Sequence, residues 1–469
     1  MTTYTGSGTE VFANDALGTV TSGGTDAPAA GTVQTWLVTQ VNPFAAASSS
    51  ATPPAFFYGA DADEDDESEK VLVTNISGST WTVTRGADGT TPVAHASGWS
   101  IVQVAARATY EGLAGLPPSG DTSGATDYAN ITAALAGGLV AVKLQPGAFY
   151  ISDTIIVPSG CSLTGAFPVQ ADSNSSYQAG PLSLMGTVIH AAGAFTGDSP
   201  PAAMIECSNT TDTQEGGQVI ANLSLEGNTT PSGSGVFGIL LHGAVGAGII
   251  SGVVVHRTDG PLLRVQKDSG TGYSPDQWRV ENSVFAASRS SHGVMVDSAP
   301  DFDWIDCLSH NNALDGWNVG SGSNSNWLGC RGENNAGSGF HFTGFYGAGV
   351  ELSMNGCSTQ ANDGNGWLFD ATGTSNAGTY LLTGCRSSAD GQTASGILAG
   401  FYDDGSASAV MLTGCAAIKN STGPAYGAYE GSTAFGMALA GCRMQGVTAA
   451  THDDGTNTNV LSNLAAVPF

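Results

Sequence analysis

The chain has 469 residues, more than one compact core usually serves, so two or more structural units are expected. Gly numbers 66 and charged residues make up only 11%, a composition lean for a globular enzyme and suited to a turn-dense all-β chain. The net charge of −27 disfavours nucleic acid, since no excess of Lys and Arg exists to displace counterions from phosphates, and no apolar run is long enough to span a membrane.

The acidic excess reads as a solubility device or as adaptation to high salt. Seven acids crowd into DADEDDESE, Asp61 to Glu69, which reads as a solvated loop, with a divalent-cation site as the alternative. The opening MTTYTGSGTEVF carries no basic patch followed by an apolar core, so no secretory signal is expected. The eight cysteines include no CxxC pair and suggest neither a disulfide framework nor a metal site.

Residues 1–112 read as a small β domain. Strand-like runs occur in GTVQTWLVTQV, KVLVTNISGSTWTVTRG and WSIVQVA, joined by polar turns. From Val73 to His95 the stretch VTNISGSTWTVTRGADGTTPVAH closely resembles a module near the start of minor tail proteins in actinobacterial phages. That resemblance implies a tail-docking role. Arg85 and His95 could act catalytically, but an Arg that anchors a turn and a packed His are the weightier reading. Residues 113–120, within GLAGLPPSG, read as a linker.

The solenoid is expected over 121–455. Tyr128, Ile131, Ala134 and Leu135 mark a short amphipathic helix, with Thr126 or Asp127 as its cap. Strands 139–144 and 154–157 follow, separated by PG and PSG turns. Val142, Leu144, Pro146, Gly147, Tyr150, Ile151, Ile155, Val157, Pro158, Gly160, Leu163 and Gly165 resemble the opening of pectate-lyase-like right-handed parallel β-helix proteins. The resemblance, over about 120–450, is specific for fold and says little of chemistry. Residues 166–215 fit the period poorly and read as insertions between turns.

Beyond 215 a repeat takes over. Cys307, Cys330, Cys357, Cys385, Cys415 and Cys442 recur at intervals of 23–30 residues, and Leu223, Val253 and Val284 fill the same slot upstream. Three positions earlier stand Ile220, Ile250, Trp304, Trp327, Met354, Leu382, Leu412 and Leu439. Both positions can face inward only if the chain bends between them, at residues such as Gly329, Gly384, Gly414 and Gly441. Five residues after the slot come Asn228, Asn312, Asn335, Asn362, Asp390 and Asn420, types that tolerate a left-handed corner. A Gly then leads an apolar strand at Gly293-Val294, Gly316-Trp317, Gly339-Phe340, Gly366-Trp367 and Gly396-Ile397. Three short strands and their corners account for one period, and stacked periods make an all-β solenoid with a column of buried thiols. Residues 456–469 form a C-terminal tail.

Three kinds of site follow. Glycoside hydrolysis needs two carboxylates, and Glu281, Asp301, Asp303, Asp306 and Asp315 cluster in sequence. Glu281 departs from the apolar slot, where burial would suit a general acid, unless a one-residue slip turns Val280 inward and Glu281 to water. β-Elimination on acidic sugars would draw on Arg257, Arg264, Lys267, Arg279 and Arg289, in a chain too acidic to welcome a polyanion. Binding without cleavage would use aromatic faces: Trp317, Trp367 and Phe340 are candidates, whereas Trp304 and Trp327 belong to the core slot.

The resemblances together imply a virion tail spike or minor tail protein, assembled in the host cytoplasm and acting outside the cell. They imply a homotrimer, other tail or baseplate proteins as partners, and a host-surface polysaccharide as ligand. No cofactor, metal, nucleic acid or membrane insertion is expected. A polysaccharide depolymerase and a purely structural tail-tip part are the rival readings.

Overall fold

A computed structural model of the chain describes residues 9–10, 16–44, 46–50, 55–61, 69–87, 90–104, 115–136, 141–168, 186–193, 195, 202–209, 215–227, 236–243, 245–321, 324–344, 351–370, 379–392, 398–404, 409–419, 426–431, 434, 436–447, 449–453 and 465–466. They divide between two compact units, Met1–Ala114 and Gly115–Phe469.

The first unit holds one seven-stranded sheet. The expected strands are present as Val33–Asn42, Lys70–Ser77, Thr80–Ala87 and Ser100–Val104, and Thr9–Glu10, Leu17–Ser22 and Ala55–Asp61 complete the sheet. Arg85 and His95 are structural. The Arg85 Nε and Nη2 donate to the two Glu69 carboxylate oxygens, each at 2.7 Å, and Nη2 also donates to the Val93 carbonyl. Glu69 accepts from the backbone N–H of Gly86 and Val93, and His95 Nε2 lies 3.1 Å away. Burial would raise the Glu69 carboxyl, but these partners outweigh it and bring it down to about 2. Glu69 is therefore a buried anchor and not part of a solvated loop. The rest of the acidic run, 62–68, lies outside the described residues.

The second unit is a right-handed parallel β-helix. Its three long sheets hold 11, 12 and 11 strands, and Glu215–Gly216 pairs with Val245–Gly246 in a two-stranded sheet, every pairing parallel. A helix, Ala125–Ala136, buries Ile131 and Leu135 at the start. Its cap is neither Thr126 nor Asp127. Asp121 accepts from the N–H of Ser123 and Thr126, while Asp127 is buried and ties Ser119 N–H to Tyr150 N–H. The insertion-like stretch 166–215 contributes strands Thr187–Ala191 and Ala203–Asn209 to the second and third sheets. In the tail, Ala465–Ala466 pairs with Arg443 and Met444, and 454–464 lie outside the described residues.

Each rung runs first-sheet strand, bend, second-sheet strand, corner, third-sheet strand. The inward column of the first sheet is Ile220, Ile250, Val280, Trp304, Trp327, Met354, Leu382, Leu412 and Leu439. The bend two residues later is a single left-handed residue: Asn222, Gly252, Asn282, Asp306, Gly329, Gly356, Gly384, Gly414 and Gly441, with φ between 50° and 66°. Gly pays no Cβ penalty there, and Asn and Asp tolerate it. One such residue turns the chain from the first sheet to the second, so the slot residue and its partner three earlier both face inward.

The slot holds the thiols. Cys307, Cys330, Cys357, Cys385, Cys415 and Cys442 are free and buried. Burial raises the Cys330 thiol, and the bond with Cys385 together with burial pushes Cys415 up to about 12. The slot in the preceding rung is Ser283, not Val284, because Val284 pairs with Leu308, the residue after Cys307. The slip places Val280 in the core and Glu281 on the outer face.

The Asn corner also differs from expectation. The left-handed residues are one position earlier, at Arg257, Ala287, Asn311, Asn334, Ala361 and Ala389. Asn312, Asn335, Asn362 and Asp390 are instead buried and hydrogen-bonded rung to rung. Asn312 Nδ2 donates to Asn335 Oδ1 at 2.9 Å, Asn335 Nδ2 to Asn362 Oδ1 at 2.8 Å, and Asn362 Nδ2 to Asp390 Oδ1 at 2.7 Å. The backbone N–H of each Asn donates to the same oxygens. Thr359 and Ser387 hydroxyls close the ladder on Asp390, whose carboxyl burial pushes upward against those bonds. Asn228 and Asn420 lie outside the described residues.

The Gly before each third-sheet strand makes room for this ladder. A Cβ on Gly316 would come within 2.6 Å of Asn335 Nδ2, and one on Gly339 within 2.9 Å of Asn362 Nδ2. Phe401 pairs with Trp367, so Gly400-Phe401 continues the series, and Gly396-Ile397 falls outside the described residues.

Neighbouring positions should therefore respond very differently. Asn335→Ala strands donors and acceptors on both adjacent rungs and should cost roughly 2–4 kcal/mol. Asn334→Ala should cost under about 1 kcal/mol, since Ala361 and Ala389 already adopt the same backbone. Thermal melts of the two variants check this; equal losses would contradict the ladder.

Candidate functional site

The expected carboxylate cluster does not form a buried acid site. Glu281 lies on the outer face of the first sheet, bound by Arg279 Nε at 2.6 Å and by the Ser251 hydroxyl at 3.1 Å. It is in register with Ile305, and Asp303 is in register with Arg279. The burial that its general-acid role required is absent. Asp303 is exposed and accepts from Asn326 Nδ2. Asp301 and Asp306 are exposed corner residues with φ of 58° and 50°. Asp306 fills the bend that Gly329 fills in the next rung, and Asp301 the corner that Asn324 fills. Backbone geometry accounts for both types.

The expected aromatic platform is core. Trp317, Phe340 and Trp367 are all 0% exposed and stack inside the solenoid. Trp317 and Phe340 centroids lie 5.6 Å apart and Phe340 and Trp367 centroids 4.4 Å, with rings within 5° of parallel. The Trp317 indole N–H donates to the Arg331 carbonyl. No sugar ring reaches these faces; each occupies the first inward position of its third-sheet strand. Trp304 and Trp327 are core, as their slot implied.

Of the acid cluster, Asp315 alone belongs to a concentrated polar site, which lies on the outer face of the third sheet. There Arg264, Met295, Asn318, His341, Leu368, Tyr402 and Tyr429 stand in register on successive rungs. Asp315 precedes the Gly of its rung and reaches this column. Its Oδ2 lies 2.9 Å from His341 Nδ1 and 3.2 Å from His292 Nδ1, and it accepts from Asn318 Nδ2. Its Oδ1 accepts from Ser338 N–H at 2.7 Å. The far side of the same imidazole, His341 Nε2, is 3.0 Å from Asp370 Oδ2. One rung region away, Arg264 Nη2 donates to both oxygens of Asp297, at 2.7 and 2.6 Å.

The electrostatics follow from these contacts. Burial alone would raise Asp315, but its hydrogen bonds to His292 and His341 hold it far below the usual carboxylate range. Burial would lower His341, but Asp315 and Asp370 outweigh it and push it up to about 9. At neutral pH the array is therefore fixed in charge: an ionised Asp315 against a protonated imidazole. Burial raises Asp297 against the pull of Arg264. Among the described residues no group of three or more His, Cys, Asp or Glu is arranged to hold a metal.

His292, His341 and Asp370 were not singled out in the sequence. Their signal is positional: His292, Asp315 and Ser338 each precede the Gly of a third-sheet strand, and Asn318 and His341 share the outward place within it.

No family model and no curated protein matches this chain. Among solved structures it is similar to the A-module of an Azotobacter vinelandii mannuronan C-5 epimerase, at 15% identity and a TM-score of 0.46, over 74% of this chain and 96% of that one. It is similar to PfbA, a surface adhesin of Streptococcus pneumoniae, at 8% identity and a TM-score of 0.47, over 74% and 91%. The Dettilon tailspike protein matches at 13% identity and a TM-score of 0.44, over 75% and 66%.

The His341 array sets a pH dependence. A histidine whose pKa rises on folding stabilises fully below about 6.5 and loses that contribution as pH climbs through about 9. Wild-type melting temperature should fall across that window, and His341→Gln should flatten the decline. A His341 NMR titration with a midpoint near 6.5 would contradict the array.

Proposed function

We propose that this chain is a virion tail spike or minor tail protein whose solenoid recognises a host-surface glycan without cleaving it. The reading rests on the third-sheet array. Its carboxylates, imidazoles and amide lie on consecutive rungs beside partly exposed Tyr402, a mixture that suits sugar hydroxyls and a ring face. An Asp315 held ionised and a His341 held protonated satisfy each other and hold the half-exposed Asp370 in place; they do not shuttle a proton at neutral pH. Docking of the first unit to a tail or baseplate follows from the resemblance of Val73–His95 to the phage module.

The homotrimer fits the first sheet. From Asn326 to Ala440 its outward residues include only one charge, Glu351, while Leu328 is 52% and Met411 44% exposed. Copies of so acidic a chain repel one another least across a face of this kind, which supports a second copy as its partner. Leu328→Glu with Met411→Glu should convert a trimer to monomers in sedimentation; a wild-type monomer would overturn the assignment.

Purified protein incubated with cell-wall polysaccharide from candidate hosts tests recognition. Binding is expected with no release of reducing ends, and His341→Ala with Asp370→Asn should weaken it at least about tenfold, on the scale of two or more lost polar contacts. Release of reducing ends would establish the depolymerase instead. Undiminished binding by the double variant would remove the array from the site.

A further inference from the structure

The distribution of positive charge points to a second binding face. The chain has 13 basic residues, and only four follow Arg289: Arg331, Arg386, Lys419 and Arg443. All four lie on the second sheet or at the residue just after one of its strands. Register places Arg331, Ser358, Arg386, Ala416 and Arg443 in one outward column. The three arginines are exposed and alternate with small residues on the rungs between. Rungs lie about 4.8 Å apart, so the guanidinium groups repeat at about 10 Å along the solenoid.

Neighbouring groups hold the arginines in place, and among the described residues Arg331 alone of the three is paired with an acid. The Arg331 Nη1 lies 3.2 Å from Glu333, Arg386 Nη2 donates to the Ser388 hydroxyl, and Arg443 Nη2 donates to the Gln445 side-chain carbonyl. From Leu308 to Gln445 the outward residues of this sheet include one acid, Glu333. In a chain whose net charge of −27 makes it a poor host for a polyanion overall, this sheet is a local inversion of sign. The same face contributes Ser358, Gln360 and Gln445, which can bond hydroxyls, and among the described residues its outward positions from Leu308 to Gln445 carry no Phe, Tyr or Trp on which a nucleic-acid base could stack.

We propose that the outer face of the second sheet binds a linear anionic polysaccharide lying along the solenoid axis, its acidic groups meeting Arg331, Arg386 and Arg443. Arginine favours this use, since its planar fork engages carboxylate, sulfate or phosphate through paired N–H donors. The assignment is independent of the third-sheet array, which lies on a different face and carries opposed charges.

Full-length protein should bind dextran sulfate and hyaluronan but not neutral dextran, with affinity that falls as salt rises. The relative strength of the two polyanions separates sulfate-like from carboxylate recognition. Arg331→Gln, Arg386→Gln and Arg443→Gln combined should weaken binding at least about tenfold. The corresponding triple Lys variant should retain most of it, and His341→Ala with Asp370→Asn should leave it unchanged. Matching circular dichroism and melting curves verify that the variants fold. Wild-type affinity in the triple Gln variant, or equal binding of neutral dextran, would overturn the proposal. So would equally tight binding of duplex DNA, or a change of oligomeric state in the triple Gln variant, which would assign the stripe to contacts between copies.

Discussion

The structure depends on parallel pairing in register, which sets each residue directly over its counterpart in the next rung. A position in such a solenoid is never solitary: its chemistry must be compatible with itself, or with a chosen neighbour, about 4.8 Å above and below. Thiols and aromatic rings meet this by stacking. An amide meets it better than other buried polar groups, because it donates in one direction and accepts from the other. The Asn312–Asn335–Asn362 ladder uses that polarity and ends where Asp390, an acceptor only, can terminate it. The preceding glycines are the steric counterpart of the ladder, and they also leave room for the inward Ser309, Gly332 and Thr359 of the second sheet.

The same rule organises the outside. Because outward residues also repeat in columns, each sheet presents a face of one character. The first is nearly uncharged over its later rungs, the second carries the arginine stripe, and the third carries the histidine–carboxylate array. Sparse charge, unpromising for catalysis when averaged over the chain, becomes concentrated once the columns form. Asp315 illustrates the effect: its partners come from residues 23 and 26 positions away in the chain, yet lie on adjacent rungs.

Much of the solenoid was legible because its bend is a single left-handed residue, and Gly at 329, 384, 414 and 441 announces it. Where Asn282 makes the same bend the signal blurs, and Ser283 then fills the thiol column while Val284 looks equally suited. Ser283 succeeds there because its hydroxyl donates to the Glu281 carbonyl and accepts from Val253 N–H. The Asn corner was located to within one residue, but its purpose lies in side-chain bonds between rungs, which no single rung contains. Trp317 and Trp367 are open to either reading in the sequence, core or binding face, because each follows a Gly corner; that Gly yields space to the ladder and the hydroxyls that close it, not to solvent. The third-sheet array was not legible, since its partners become neighbours only after the rung lengths between them are fixed.

The most direct test of in-register stacking is a sulfur-anomalous map from crystals of the protein. Cys307, Cys330, Cys357, Cys385, Cys415 and Cys442 should give one straight row of peaks with spacings of about 5 Å. Peaks dispersed through the fold, or paired at disulfide separation, would contradict the account.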